Sequence, residues 1–328
     1  MNPVSNSGNN ENPFDASSFV QRSIQSIKQQ AGQENVICAL SGGVDSSVTA
    51  ALLDRAIGER LTAIFVDHGL LRKGEAKQIS RTFNSFLRGK LITINARDRF
   101  FQKLQGITEP EKKRKVIGRE FVNVFKEQAP IGEESGFLAQ GTIRSDVVES
   151  GQGVESRIKS HHNVGGLPKE LGFKLLEPIR ELYKDQVRLV GKELGLASEL
   201  IERQPFPGPG LAVRIIGEVT KEKAELLQEA DAIVCREIEQ SRCEPPVWQY
   251  FAVLPGINAV GTKSGRRVYG PVVAVRAVIS TDGMNARWAP LPHDLLERIS
   301  TRLTTEIPSV TRVVYDITSK PPGTIEWE

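Results

Sequence analysis

Cysteine is scarce in this chain: Cys38, Cys235 and Cys243 are the only three among 328 residues, widely spaced and without a CxxC pair. So odd and sparse a set argues against a disulfide framework or a cysteine-based zinc site, and fits a reducing cytosol. An excess of charge is lacking too, since 43 Lys and Arg stand against 40 Asp and Glu, for a net +3. That balance gives no electrostatic footprint for nucleic acid or an anionic membrane. No apolar run reaches membrane-spanning length, and the first residues show no basic-then-apolar signal pattern. A cytoplasmic protein is expected, with neither membrane nor nucleic acid as partner. His161 and His162 are adjacent, so they rarely face one ion together, and no third ligand follows at a recognised spacing. With 39% hydrophobic and 25% charged residues the chain fits a soluble globular protein, and its length predicts two domains, each burying its own core.

The most informative stretch is Val36–Ala56, VICALSGGVDSSVTAALLDRA. Val36 to Leu40 form a short apolar run, as in a strand buried on both faces. Ser46 to Ala56 predict a helix, with Val48, Leu52 and Ala56 one turn apart. Between them lie Ser41, Gly42, Gly43, Val44, Asp45, Ser46 and Ser47. Two glycines allow a sharp turn and close approach to a ligand, and the free N–H groups at the helix start suit phosphate. Asp45 would repel phosphate unless a cation lay between them, which points to magnesium. No Gly-Lys-Ser/Thr follows, so this is not a Walker A loop. Two glycines alone would leave an ordinary strand-to-helix turn as the better reading. The full string in its strand–loop–helix setting reverses that.

Met1 to Asp15 are rich in Asn, Ser and Gly and suggest a disordered tail, with the first domain expected over 21–206 after a tail of 1–20. Phe19 to Gln30 predict a helix. Leu61–Val66, Leu91–Ala96 and Gly136–Gln140 predict further buried strands, and Pro110–Gln128 a helix whose first half carries Lys112, Lys113, Arg114 and Lys115. Strands alternating with helices imply an α/β fold, a doubly wound parallel sheet whose ligands sit at the strands' carboxyl ends. Ser41–Ser47, Val66–Asp67 and Gly141-Thr142 would then share one rim. Ser150–Gly172 has no period and reads as a lid that brings Lys159 to a phosphate. Glu181–Leu194 predicts a helix. Gln204–Gly210, with three prolines and two glycines, marks the domain boundary, or no more than a rigid linker. The second domain, 207–328, reads as a smaller α+β unit. Its expected strands are Ala212–Ile216, Val247–Leu254, Arg267–Ser280 and Val310–Ile317, and its helices Lys221–Gln240 and Leu291–Glu306. Lys320, Thr324 and Glu326 beside Pro321-Pro322 could hold a polar ligand; a docked tail that only completes packing is an equal reading.

The loop string resembles the pyrophosphate loop of the N-type ATP pyrophosphatases. Val66–Arg72, Ile158–Pro168, Pro205–Leu211 and Lys320–Glu328 look, in the same order, like GMP synthetases. The likeness covers roughly Asn35 to Glu328. It implies an adenine nucleotide α-hydrolase-like first domain and a dimerisation domain after it. The implied reaction is adenylation of the XMP 2-oxygen by ATP, releasing pyrophosphate, followed by amination. By the resemblance Ser41, Gly42, Gly43, Val44, Asp45, Ser46, Ser47, Val66 and Gly141 hold ATP, with Asp45 on magnesium. Lys159 neutralises charge at the α-phosphate. Arg214, Lys320, Thr324, Ile325 and Glu326 hold XMP. A homodimer is implied. Only a short polar tail precedes Val36 and Cys38 lies within a strand, so ammonia is expected to come free or from a separate glutamine amidotransferase subunit. His68, Arg144-Ser145, Gln204 and Gly283 depart from the family's usual residues, at positions that bear on adenine packing or lid closure. Two rival readings stay open: another N-type ATP pyrophosphatase, such as a tRNA-thiolating enzyme, and a non-catalytic ATP- or XMP-binding regulator.

Overall fold

The computed structural model describes residues 14–128, 135–149, 173–241, 243–281 and 283–328. Its first sheet has five parallel strands, β1 (Asn35–Leu40), β2 (Leu61–Asp67), β3 (Lys90–Asn95), β4 (Ser135–Ala139) and β5 (Lys174–Leu176), in the order β3-β2-β1-β4-β5. Val36, Ile37, Cys38 and Leu40 are buried, as an apolar run inside a two-sided sheet requires. Chain direction across the sheet reverses between β1 and β4, so their carboxyl ends open the crevice where α/β sheets bind ligands.

One face is covered by α1 (Ala16–Ala31), α2 (Val44–Ile57), α3 (Glu75–Phe86) and, further along, α7 (Lys184–Glu193); the other by α4 (Arg97–Leu104) and α5 (Pro110–Gln128). The short α6 (Arg144–Glu149) and α8 (Ser198–Ile201) complete the unit. Helix α1 starts inside the stretch assigned to the tail, because the Asp15 side chain caps it by accepting from Ser18 N at 3.1 Å, and Val20, Ile27 and Ala31 pack inward. The helix predicted over Glu181–Leu194 begins later, at Lys184, since Arg180 and Leu182 close turns onto Glu177 and Ile179.

The second unit is built on the long β8 (Arg266–Ile279). It pairs antiparallel with β6 (Gln249–Val253), β7 (Asn258–Lys263) and β9 (Arg287–Trp288), and parallel with β10 (Arg312–Asp316). Helices α9 (Lys221–Ser241) and α10 (His293–Glu306) pack on it. The strand expected at Ala212–Ile216 is instead a 3₁₀ turn over Gly210–Arg214, and only Ile215 makes a bridge, to Leu254. All five residues of that turn are buried, so the apolar run reflects enclosure on every side, and a run that short does not distinguish strand from helix. The two cores are also not separate. One cluster runs from Ile37, Ile64 and Leu138 under the first sheet, through Leu211 and Ile215, to Leu227, Val273 and Leu303 in the second. No helix among the described residues is long and apolar enough to cross a membrane.

Candidate active site

At the carboxyl end of β1 the chain turns through Ser41–Gly43 and enters α2 at Val44. Gly42 takes φ +80°, a conformation that favours glycine, and a Cβ there would press on Ile79. Hydroxyls hold the loop's shape. Ser46 and Ser47 donate to the Gly43 carbonyl at 3.0 and 2.8 Å, Ser41 N donates to Ser46 Oγ at 3.2 Å, and the Ser41 and Ser46 hydroxyls lie 3.0 Å apart. From 161 residues away Arg203 donates to the Gly42 carbonyl at 2.6 Å and pairs with Glu75. The end of β4 comes equally close: a Cβ on Gly141 would stand 2.8 Å from the backbone of Asp45 and Ser46.

These elements enclose a cavity of about 410 Å³. Ser41, Gly43, Val44, Asp45, Ser46, Val66 and Gly141 line it, which brings together most of the residues predicted to hold ATP. Ser47 is buried and serves the loop from behind. The opposite wall is apolar, from Ile64, Phe121 and Phe125. His68 also lines the cavity, set against the rings of Phe100 and Phe121, with Nδ1 accepting from Leu70 N at 3.2 Å. Burial pushes its imidazole down from the ordinary value near 6.5 to about 4, against the pull of Asp67, so it is neutral at pH 7.

Asp45 differs from its neighbours. Lys184, the first residue of α7, reaches its Oδ2 at 2.6 Å, while Oδ1 is shielded and accepts no hydrogen bond. Two other cavity carboxylates are engaged within the protein. Glu75 pairs with Arg203 and accepts from Arg72 N at 2.9 Å, and Asp146 Oδ2 accepts from Ile143 N at 3.1 Å. Among the described residues no group of three or more His, Cys, Asp or Glu could hold a metal.

Two residues of the site carried no clear sequence signal. Lys184 and Arg188 sit one turn apart on α7 and both line the cavity. The proline-rich stretch is a wall as well as a link, since Gln204–Gly208 line the cavity too. Gln204 is fixed by accepting from Tyr250 N at 2.8 Å, and Arg72 stacks over Phe206 at 4.7 Å. Arg144 stacks on Tyr183, 5.0 Å away, joining the start of α6 to that of α7. Gly283 lies against the Trp248 ring. Lys159, His161 and His162 lie outside the described residues.

The second predicted set forms a tight cluster. Arg214 is fully buried, gives Glu326 a bidentate pair at 3.0 and 2.9 Å and lies 3.8 Å over the Phe251 ring. Thr324 and Glu326 line another cavity, of about 460 Å³, between Val314–Thr318 and the chain's last residues. Lys320 Nζ donates to the Gly283 carbonyl at 2.8 Å, and Ile325 packs with Phe251 and Val253. Gln249 bridges the two cavities, donating to Pro205 O at 3.3 Å and Glu326 Oε1 at 3.0 Å. Beyond them Glu328 accepts from the buried Lys113 of α5 at 2.5 Å, so the tail is clamped to the first domain.

A parallel sheet with a serine- and glycine-rich loop at its reversal point defines an α/β protein whose ligand crevice lies at the strands' carboxyl ends. Residues 17–117 match the NAD synthase family. More particularly, residues 236–327 match the GMP synthase C terminal domain. "GMP synthase [glutamine-hydrolyzing]" from Geobacillus kaustophilus is 54% identical over 310 residues, 94% of this chain and 61% of that protein. The protein of the same name from Clostridium kluyveri is 54% identical over 312 residues, 95% of this chain and 61% of its own length. The chain thus spans about three-fifths of these curated relatives. Among solved structures, an NH3-dependent NAD synthetase from Campylobacter jejuni aligns over 58% of this chain and 77% of its own, at 18% identity and TM-score 0.45. NMN synthetase from Francisella tularensis aligns over 65% and 82%, at 15% identity and TM-score 0.45.

Proposed function

We propose that this chain carries out the synthetase half of GMP formation. ATP adenylates the 2-oxygen of XMP with release of pyrophosphate, and ammonia then displaces AMP. The observation that carries the reading is the Ser41–Ser47 loop at the sheet's reversal point, within a chain 54% identical to GMP synthases and followed by their C terminal domain. Ser41, Gly42, Gly43, Val44 and Ser46 cradle the pyrophosphate moiety, with Ser47 bracing the loop from behind, and the apolar wall beside Val66 receives adenine. Asp45 would hold magnesium. One carboxylate with an unsatisfied oxygen, completed by phosphate oxygens and water, suits that ion better than an all-protein cage, and the ion would neutralise the leaving pyrophosphate. Lys159 stabilises charge at the α-phosphate. Gly141 lets the end of β4 close on the loop.

XMP is assigned to Arg214, Lys320, Thr324, Ile325 and Glu326, which Gln249 links to the ATP cavity wall. Cys38 is no glutamine-attacking nucleophile, because burial pushes its thiol up to about 12. Ammonia is proposed to arrive free or from a glutamine amidotransferase subunit, glutamine hydrolysis being the activity named in the curated relatives. A homodimer through the second domain, where Val260, Tyr269 and Val314 stay exposed, completes the proposal.

The test is an assay with XMP, ATP, magnesium and ammonium that follows GMP and pyrophosphate, run beside Lys159→Ala. Ammonium-dependent GMP with one pyrophosphate each, lost in the variant, is the expected result. Binding of both nucleotides without pyrophosphate release would move the protein to a regulatory role.

A further inference from the structure

Lys184 stands where helix chemistry does not favour a cation. It is the first residue of the ten-residue α7, at the positive end of the helix dipole. Its partner, Asp45, lies 139 residues earlier in the first turn of α2, so two helix N-termini face one cavity across this pair. One turn along α7, Arg188 lines the same cavity, and its Nε is shielded from solvent without a hydrogen-bond partner. Asp45 Oδ1 is likewise shielded and unpartnered. Leaving shielded polar atoms unpaired is costly, and here the two come with opposite demands: the carboxylate oxygen calls for a cation, and the Nε of Arg188, whose charge is already felt by Glu202, calls for a further acceptor. Lys184 itself is half-exposed, at 47%, so its four-carbon stem has room to swing.

We propose that Lys184 is an exchangeable counter-ion of the phosphate loop. It pairs with Asp45 while the cavity is free of nucleotide. When a magnesium-bound pyrophosphate group enters, Lys184 passes from Asp45 Oδ2 to the phosphate oxygens, beside Arg188. No covalent bond changes in the exchange. Asp45 trades an ammonium for a divalent ion, and the ammonium trades a carboxylate for a phosphate, so neither charge is left buried alone. The proposal rests on the pyrophosphatase reading of this cavity and adds two anion-binding residues to it.

Direct binding tests this without turnover. Wild type and Lys184→Met, which keeps an apolar stem, are titrated calorimetrically with Mn²⁺ alone and with inorganic pyrophosphate in saturating Mg²⁺. Lys184→Gln replaces the Met variant if that one melts early. The variant is expected to bind Mn²⁺ about fivefold more tightly, because Asp45 has lost its competitor, and pyrophosphate about tenfold more weakly. A purely structural lysine would lower both affinities. Both falling together, or neither changing, overturns the proposal. Wild type that binds pyrophosphate yet forms no GMP would defeat the synthesis reading and leave the exchange standing. GMP-forming wild type whose Lys184 variants bind pyrophosphate unchanged would do the reverse.

Discussion

In the Ser41–Ser47 loop the single carboxylate, Asp45, has one half-exposed cation and an oxygen that makes no hydrogen bond. In Lys320–Glu328 the carboxylates are tied down: Glu326 grips Arg214 through two bonds, and Glu328 holds Lys113, with both of these cations fully buried. The loop leaves one carboxylate oxygen unpaired beside a half-exposed cation, whereas the tail's charges are fasteners that join the C-terminal segment to the first domain. The contrast separates a site with an unsatisfied charge from a clamp that keeps both units on one core. It also adds a condition to the XMP proposal, because a nucleotide that uses Arg214 must share it with Glu326.

Removing the loop's carboxylate should have the largest effect. Asp45→Asn is expected to lower GMP formation by about 10³-fold, a loss of about 4 kcal/mol of transition-state stabilisation, while the melting temperature holds. Steady-state kinetics beside a thermal melt would check this, and a variant that unfolds would erase the contrast with the tail. The mirror experiment is Glu328→Gln. It leaves Lys113 buried without a counter-charge and should cost about 3 kcal/mol in urea unfolding. Burial holds the Lys113 ammonium below its ordinary pKa even with Glu328 beside it, so the cost would ease somewhat as pH rises.

A third test concerns His68, on the cavity's apolar side. Its folded pKa, about 4, lies below the unfolded value near 6.5. The unfolded chain therefore takes up this proton first as pH falls. The associated stability is fully present above pH 6.5 and is lost between about 6.5 and 4, by about 3 kcal/mol in all. His68→Asn should flatten that part of the stability–pH curve, measured as the difference between variant and wild type across the window. The smallest effect is expected at Lys73–Glu229, an ion pair with both partners about half exposed. Lys73→Ala should change stability by less than about 0.5 kcal/mol, and a larger change would mean that surface charge also fastens the two units.

What could be read from the residues alone was local. Val36–Ala56 carries its strand, turn and helix within one contiguous run, so burial pattern, glycine placement and helix-start chemistry all act on neighbours. The alternation of strands and helices around it was enough to imply a parallel sheet and its ligand-binding rim. The reading failed where enclosure replaced periodicity, as at Gly210–Arg214, and where proline-rich chain served as a cavity wall, as at Gln204–Gly208. Phe121 and Phe125 gave only the signature of a core-facing helix, though they also line the site.

The sequence by itself determined the strand, turn and helix of Val36–Ala56, the α/β class and the presence of a second, α+β unit, because each follows from side chains a few residues apart. Only the tertiary structure decided that Lys184 meets Asp45 across 139 residues, that Arg214 meets Glu326 across 112, and that Lys113 meets Glu328 across 215. Charge attracts through space and leaves no periodic trace along the chain, so these pairings exist only once the sheet and the shared core have brought their backbones together.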